Sequence, residues 1–167
     1  MGVVGLALSG VLVSLTQVSV HMAEIRAEAQ RIQSEIAEFQ EAFHSKAAKA
    51  QTCFAQFQFI EDQCADMNLE ECLAKHDDFK IQRAELLRRR HRITTAFQRN
   101  CVEGLPAHWD WQKPLPLISQ NDVNQASAFL TCYQPFMQQF LQSANEETAL
   151  FNEAIRRLQP MVPKVHR

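Results

Sequence analysis

Residues 22–64 read MAEIRAEAQRIQSEIAEFQEAFHSKAAKAQTCFAQFQFIEDQC, and their periodicity decides the fold class. Residues of mostly apolar or small type recur at alternating spacings of three and four. One seam is Met22, Ala29, Ile36, Phe43, Ala50, Phe57, Cys64; the other is Ile25, Ile32, Phe39, Lys46, Cys53, Ile60. That is about six heptads with one charged interruption, at Lys46. Neither Pro nor Gly lies between Met22 and Cys64, so nothing local stops a helix of roughly 65 Å at 1.5 Å per residue.

Working outward, the residues after Cys64 carry turn chemistry in Ala65-Asp66-Met67-Asn68. Asn68 followed by Glu71 has capping-box spacing. A second helix is expected from about Leu69 to Asn100, with Cys72, Phe79, Leu86 and Ile93 at sevenfold spacing and Leu73, Leu87 and Phe97 widening the stripe. A turn this short predicts an antiparallel hairpin whose stripes bury each other. Residues 101–118 form a Trp/Pro-rich loop holding both tryptophans, Trp109 and Trp111. They are read either as sealing the hairpin or as docking on a neighbour or a membrane interface. Ser119 with Asp122 then opens a C-terminal helix over 119–167. Pro135 is expected to kink or divide that helix, and Ser143 with Glu146 to restart it.

Upstream, Val3 to Val20 carries no charged residue. Eighteen helical residues span about 27 Å, just short of a hydrocarbon core of about 30 Å. Ser9, Ser14, Thr16, Gln17 and Ser19 lower its hydrophobicity, while Gly5, Ser9, Gly10 and Ser14 place small residues where membrane helices approach closely. The reading is a retained single-pass membrane anchor over residues 1–20. A signal peptide fits less well, because no Lys or Arg precedes Arg26 and Val18-Ser19-Val20 is a poor cleavage site. Arg26 and Arg31 put the body on the cytoplasmic or matrix side by the positive-inside rule; the cysteines pull the other way.

The expected architecture is therefore all-α: an N-terminal transmembrane helix (1–20) continuing into the heptad-patterned helix of a hairpin (21–100), then the loop (101–118) and a kinked C-terminal helix (119–167). With 4 Gly, a net charge of -2 and 46% hydrophobic residues, the chain suits neither a nucleic-acid protein nor a disordered one. Basic against acidic residues number 4 to 7 in 21–64, 8 to 6 in 65–100 and 5 to 6 in 101–167, so no segment is charged enough to name a partner.

Five cysteines stand at 53, 64, 72, 101 and 132. Cys64 and Cys72 flank the turn and are the candidate disulfide in an oxidising compartment. The arrangement resembles mitochondrial intermembrane-space proteins in which paired cysteines staple a helical hairpin. It departs from them in that ten residues separate Cys53 from Cys64 and the second helix lacks the matching pair. Zinc held by Cys64, Cys72 and His76 is disfavoured by the loose spacing, so neither metal nor cofactor is expected.

Arg88, Arg89, Arg90 and Arg92 form the densest charge, read as contacts for a partner subunit or anionic lipid, or as a solvated face. No Gly-rich phosphate loop, HExxH, GxSxG or dinucleotide fingerprint occurs. The expectation is a non-catalytic structural, accessory or assembly subunit of a membrane complex. A mitochondrial inner-membrane respiratory or ATP-synthase complex is the preferred setting, and a bacterial envelope or secretion system the alternative. A tethered coiled-coil adaptor that homo-oligomerises through its long seam is the reading from another class.

Overall fold

The computed structural model describes the backbone of residues 2–66, 70–107, 109–114 and 119–162, and the side chains of these except 2–19, 71 and 73–76. Three helices account for nearly all of it: α1 (Gly2–Asp66), α2 (Glu70–Phe97) and α3 (Gln120–Leu158). A π-helical turn, Gln98–Val102, ends α2, and a 3-10 turn, Gln159–Met161, ends α3. The protein is all-helical. The Asn68 cap, His108 and the arm from Pro163 lie outside the described residues, as do the side chains of His76 and of residues 2–19.

The three helices run alternately up, down and up. Ring centroids of Phe57 and Phe79 lie 4.1 Å apart, and the Cα atoms of Cys64 and Cys72 lie 6.1 Å apart. Numbers rise on α1 as they fall on α2, so the two are antiparallel. α3 lies parallel to α1, with Lys46 Nζ donating to Asn145 Oδ1 at 3.1 Å and Cys53 Sγ standing 3.3 Å from Asn152 Oδ1. Seven residues separate the two contacts on each helix, so the register holds through two turns. Against α2, α3 is antiparallel: Phe79 meets Phe151 and Phe97 meets Phe136, with centroids 5.5 Å and 5.7 Å apart.

The α1 stripe does not bury the α2 stripe, as the hairpin reading expected; α3 covers both. Ile25, Ala29, Ile32 and Ile36 of α1 pack with Phe129, Leu130, Tyr133 and Met137 of α3, joined by Phe97 and Cys101 from the far end of α2 and by Trp109. A second core gathers Phe57, Ile60 and Cys64 of α1, Cys72 and Phe79 of α2, and Phe151, Ala154 and Leu158 of α3. α3 wins because its stripe holds the larger side chains. Five of its aromatic residues face inward, which gives more dispersion contact than the narrower α2 stripe can offer.

Local chemistry explains the helix ends. Ser119 is extended at φ -149° and ψ 162°, and its Oγ accepts from the Asp122 amide at 3.2 Å while bonding the Asp122 carboxylate at 2.9 Å. Pro135 lies inside α3 without dividing it, so the division that the sequence offered beside a kink does not occur, nor does the restart at Ser143. A proline inside a helix costs about 3 kcal/mol through a lost hydrogen bond and a carbonyl clash. Burial of Tyr133 and Met137 on either side of it exceeds that cost. At the end of α2 the wider π turn closes with the Glu103 amide on the Gln98 carbonyl at 2.9 Å. The extra residue turns both Phe97 and Cys101 inward.

Among the residues whose side chains are described, no helix is long and apolar enough to cross a membrane. The transmembrane part of the expectation thus finds no support there, and the run 3–20 falls outside those residues except for Val20. Its backbone is helical and continuous with the bundle.

Two predictions follow from the packing. Phe151 is fully buried among Phe54, Phe57 and Phe79. Phe151→Ala is expected to cost about 3–5 kcal/mol, read as a lower urea midpoint with unchanged slope. Cys101 and Cys132, 31 residues apart, close a longer loop than Cys64 and Cys72, 8 apart. Loop-closure entropy gives roughly 3–4 and 2–3 kcal/mol respectively, so Ser replacement of the first pair should lower the urea midpoint more than replacement of the second.

Candidate functional site

Between the two cores the bundle has a polar waist, and Lys46, the charged break in the heptad seam, marks its level. There α1 contributes Ala47 and Ala50, α2 Arg90 and Thr94, and α3 Ser143, Ala144 and Glu147, around a cavity of about 230 Å³. Small alanines on the facing turns leave this space, and polar groups fill its rim. Arg90 Nη2 donates to the Glu147 carboxylate, and Arg90 Nε lies 3.4 Å from Ser143 Oγ. Burial, and then the neighbouring Arg83 charge, push the Arg90 guanidinium below its ordinary value. Arginine stays protonated nonetheless. One residue back on each helix, Arg89 Nη2 holds Glu146 at 2.9 Å. The waist is a charged clasp joining α2 to α3.

The arginine run therefore splits by helical geometry. Arg89 and Arg90 face α3, whereas Arg88, His91 and Arg92 are exposed on the opposite side beside half-exposed Leu87. Arg83, two turns before Arg90 on the same inward face, has its guanidinium 4.9 Å from the Phe54 ring centroid and 5.5 Å from that of Phe151, capping the core of Phe57, Phe79 and Phe151 with its charge over two aromatic faces.

Both tryptophans turn inward. Trp109 is buried and packs edge-on to Phe129, with centroids 5.2 Å apart; Trp111, half-buried, lies against Phe97 and Tyr133 at 5.5 Å and 5.2 Å. They seal the core of Ile32, Phe129 and Tyr133, and Trp111 alone of the two keeps a partly exposed rim. Burial raises the Tyr133 phenol well above its ordinary value. The Nε1 atom of Trp109 is buried without a hydrogen-bond partner among the described residues.

Cys64 and Cys72 are disulfide-bonded across the neck of the α1–α2 turn. A disulfide leaves neither sulfur as a thiolate for zinc. Among the described residues no group of three His, Cys, Asp or Glu is placed to hold a metal ion. A second disulfide, Cys101–Cys132, ties the π turn to α3. Sequence reasoning missed it because Cys101 and Cys132 meet only once α3 lies antiparallel on α2. The signal was the register: the pair falls in line with Phe97 and Phe136. Cys53 is free and buried.

No family model matches the chain, and no curated protein or solved structure matches it either.

The clasp makes a direct prediction. Arg90 and Glu147 side chains are 36% and 16% exposed, against 50% and 34% for Arg89 and Glu146. Replacing Arg90 with Met strands Glu147 in the less solvated pair and should cost about 1–3 kcal/mol. Arg89→Ala, at the exposed pair, should cost about 0–1 kcal/mol. The double variant Arg90→Met with Glu147→Leu should recover part of the loss, since no charge is then left unpaired. Urea titrations of the three variants against wild type check this.

Proposed function

We propose that the chain is a membrane-tethered, non-catalytic structural or assembly subunit of a multi-subunit membrane complex. One observation carries the reading: α1 is a single helix from Gly2 to Asp66. The uncharged run 3–20 therefore enters the bundle without a hinge, and described packing begins at Met22. An apolar helix joined rigidly to a stapled bundle acts as a post. It holds the body at a set height and angle over the membrane.

The disulfides favour a side. Four of the five cysteines are paired, and such bonds persist in oxidising compartments. This favours placing the body in the mitochondrial intermembrane space, anchored in the inner membrane, over the matrix side that Arg26 and Arg31 suggest. The bacterial periplasm satisfies the same chemistry and is the second setting. Anionic lipid is the weaker partner for Arg88 and Arg92. Phe97 packs on Tyr133, which packs on Phe39, so this end of α2 stands level with residue 39 of α1. That is about 28 Å beyond Val20 at 1.5 Å per residue, out of reach of headgroups from an upright post. Protein subunits are the partners proposed, met by exposed positions such as Phe59, 63% accessible. The seam itself is occupied by α3, which weighs against the adaptor that oligomerises through it.

Carbonate extraction of native membranes tests the tether. The full-length chain should stay in the pellet and a chain lacking residues 2–20 should be released. On native gels the full-length chain should migrate within a larger assembly. Release of the full-length chain by carbonate, or migration as a free monomer from mild detergent, would overturn the reading.

A further inference from the structure

The two disulfides differ in what a reductant can reach. Cys64 and Cys72 are 2% and 0% exposed, sealed in the core of Phe57, Phe79 and Leu158. Cys101 is buried as well, but its partner Cys132, on the flank of α3, is only partly buried. Thiol–disulfide exchange requires a thiolate to approach one sulfur of the bridge, so access decides which bridge reacts. Cys132 offers that access, and the neck does not.

The segment between Cys101 and Cys132 carries both tryptophans. The backbone bonds of its described loop residues are local: the Leu105 amide to the Val102 carbonyl, Trp109 to Pro106 and Lys113 to Asp110, each at 3.0 Å. What reaches α3 from these residues is ring packing, Trp109 on Phe129 and Trp111 on Phe129 and Tyr133. The buried Nε1 of Trp109, without a hydrogen-bond partner among the described residues, regains a bond when water reaches it. That atom favours the open form.

We infer that Cys101–Cys132 is a reducible latch over the two tryptophans, whereas Cys64–Cys72 is a permanent staple. A thiolate of a dithiol reductant attacks Cys132 Sγ; a bond forms between the two sulfurs, and the Cys101 sulfur leaves as a thiolate. The second thiol of the reductant, deprotonated, then attacks the reductant sulfur of this mixed disulfide and releases Cys132. Two electrons pass from the dithiol to the bridge, and its two protons end on Cys101 and Cys132. With the bridge gone, the segment regains the freedom that closing a 31-residue separation had removed. Trp109 and Trp111 then come off Phe129 in a local opening, while the neck and the core around Phe57 stay in place. The thiol poise of the compartment thereby sets the exposure of two tryptophans, a residue type enriched among the anchors of protein contacts. The latch stands independently of the membrane tether.

The test titrates full-length chain in detergent micelles with dithiothreitol, alkylates free thiols with iodoacetamide and maps the peptides by mass. Cys101 and Cys132 should be alkylated about tenfold faster, or more, than Cys64 and Cys72. Tryptophan emission should shift to the red in step with that alkylation while circular dichroism keeps its helical signal, and oxidised glutathione should reverse the shift. With reduced glutathione, a monothiol, the trapped adduct should sit on Cys132. Cys101→Ser with Cys132→Ser should show the shifted emission without reductant, and Cys64→Ser with Cys72→Ser should keep the native emission and its response to dithiothreitol. Should a variant fail to fold, the wild-type titration decides alone. Opening of Cys64–Cys72 first, or together with the other bridge, would overturn the proposal. So would a glutathione adduct on Cys101, or complete opening of Cys101–Cys132 with tryptophan emission unchanged.

Discussion

The bundle depends on α3 standing between the other two helices. Apart from the neck held by Cys64–Cys72, the Phe57–Phe79 contact and Arg83 over the Phe54 ring, the described contacts between α1 and α2 run through residues of α3. Remove the face built by Phe129, Tyr133, Phe140 and Phe151, and the α1 seam from Ile25 to Ile60 returns to water together with Phe97. At roughly 1.5–3 kcal/mol for each large apolar side chain, no contact left between α1 and α2 replaces that loss. The α1–α2 turn brings two rods together; α3 decides that they stay.

That dependence divides the structure into two units. Each core carries its own disulfide, one at the neck and one at the π turn, and between them lies a waist of alanines, a cavity and the Arg90–Glu147 clasp. Phe43 and Phe140, with ring centroids 6.1 Å apart, line the same cavity. The two cores are therefore joined at the waist by aromatic contact as well as by charge, with α3 continuous through it. The clasp adds register to this coupling, because an ion pair with hydrogen-bond geometry tolerates less sliding than two apolar ridges.

Much of this was written in the chain. The seam of residues 22–64 gave the long helix and the buried positions on it, and the Ser119–Asp122 spacing gave the start of α3. The proximity of Cys64 and Cys72 followed from the short turn between their helices. The partner of the seam was not legible: periodicity shows which face is buried and never against what, and two candidate stripes lay downstream. Lys46 looked like a defect in a heptad repeat and marks the waist. The tryptophans could be read as sealing the hairpin or as docking residues, because composition does not say which way a loop turns; Phe97, Phe129 and Tyr133 drew them inward. Pro135 did not divide α3, since a local rule about one hydrogen bond says nothing of the aromatic residues on either side. For function, the uncharged run 3–20 carries the reading, and the structure adds its helical continuity with the bundle.

The pairing of the cysteines tests the central claim most directly, because only a bundle with α3 antiparallel on α2 brings Cys101 to Cys132. Native full-length chain, alkylated and digested without reduction, should yield cross-linked peptides joining Cys64 to Cys72 and Cys101 to Cys132, with Cys53 alkylated only after denaturation. Any peptide linking Cys53 to another cysteine, or Cys101 and Cys132 alkylated in the native chain, would contradict this arrangement of the three helices.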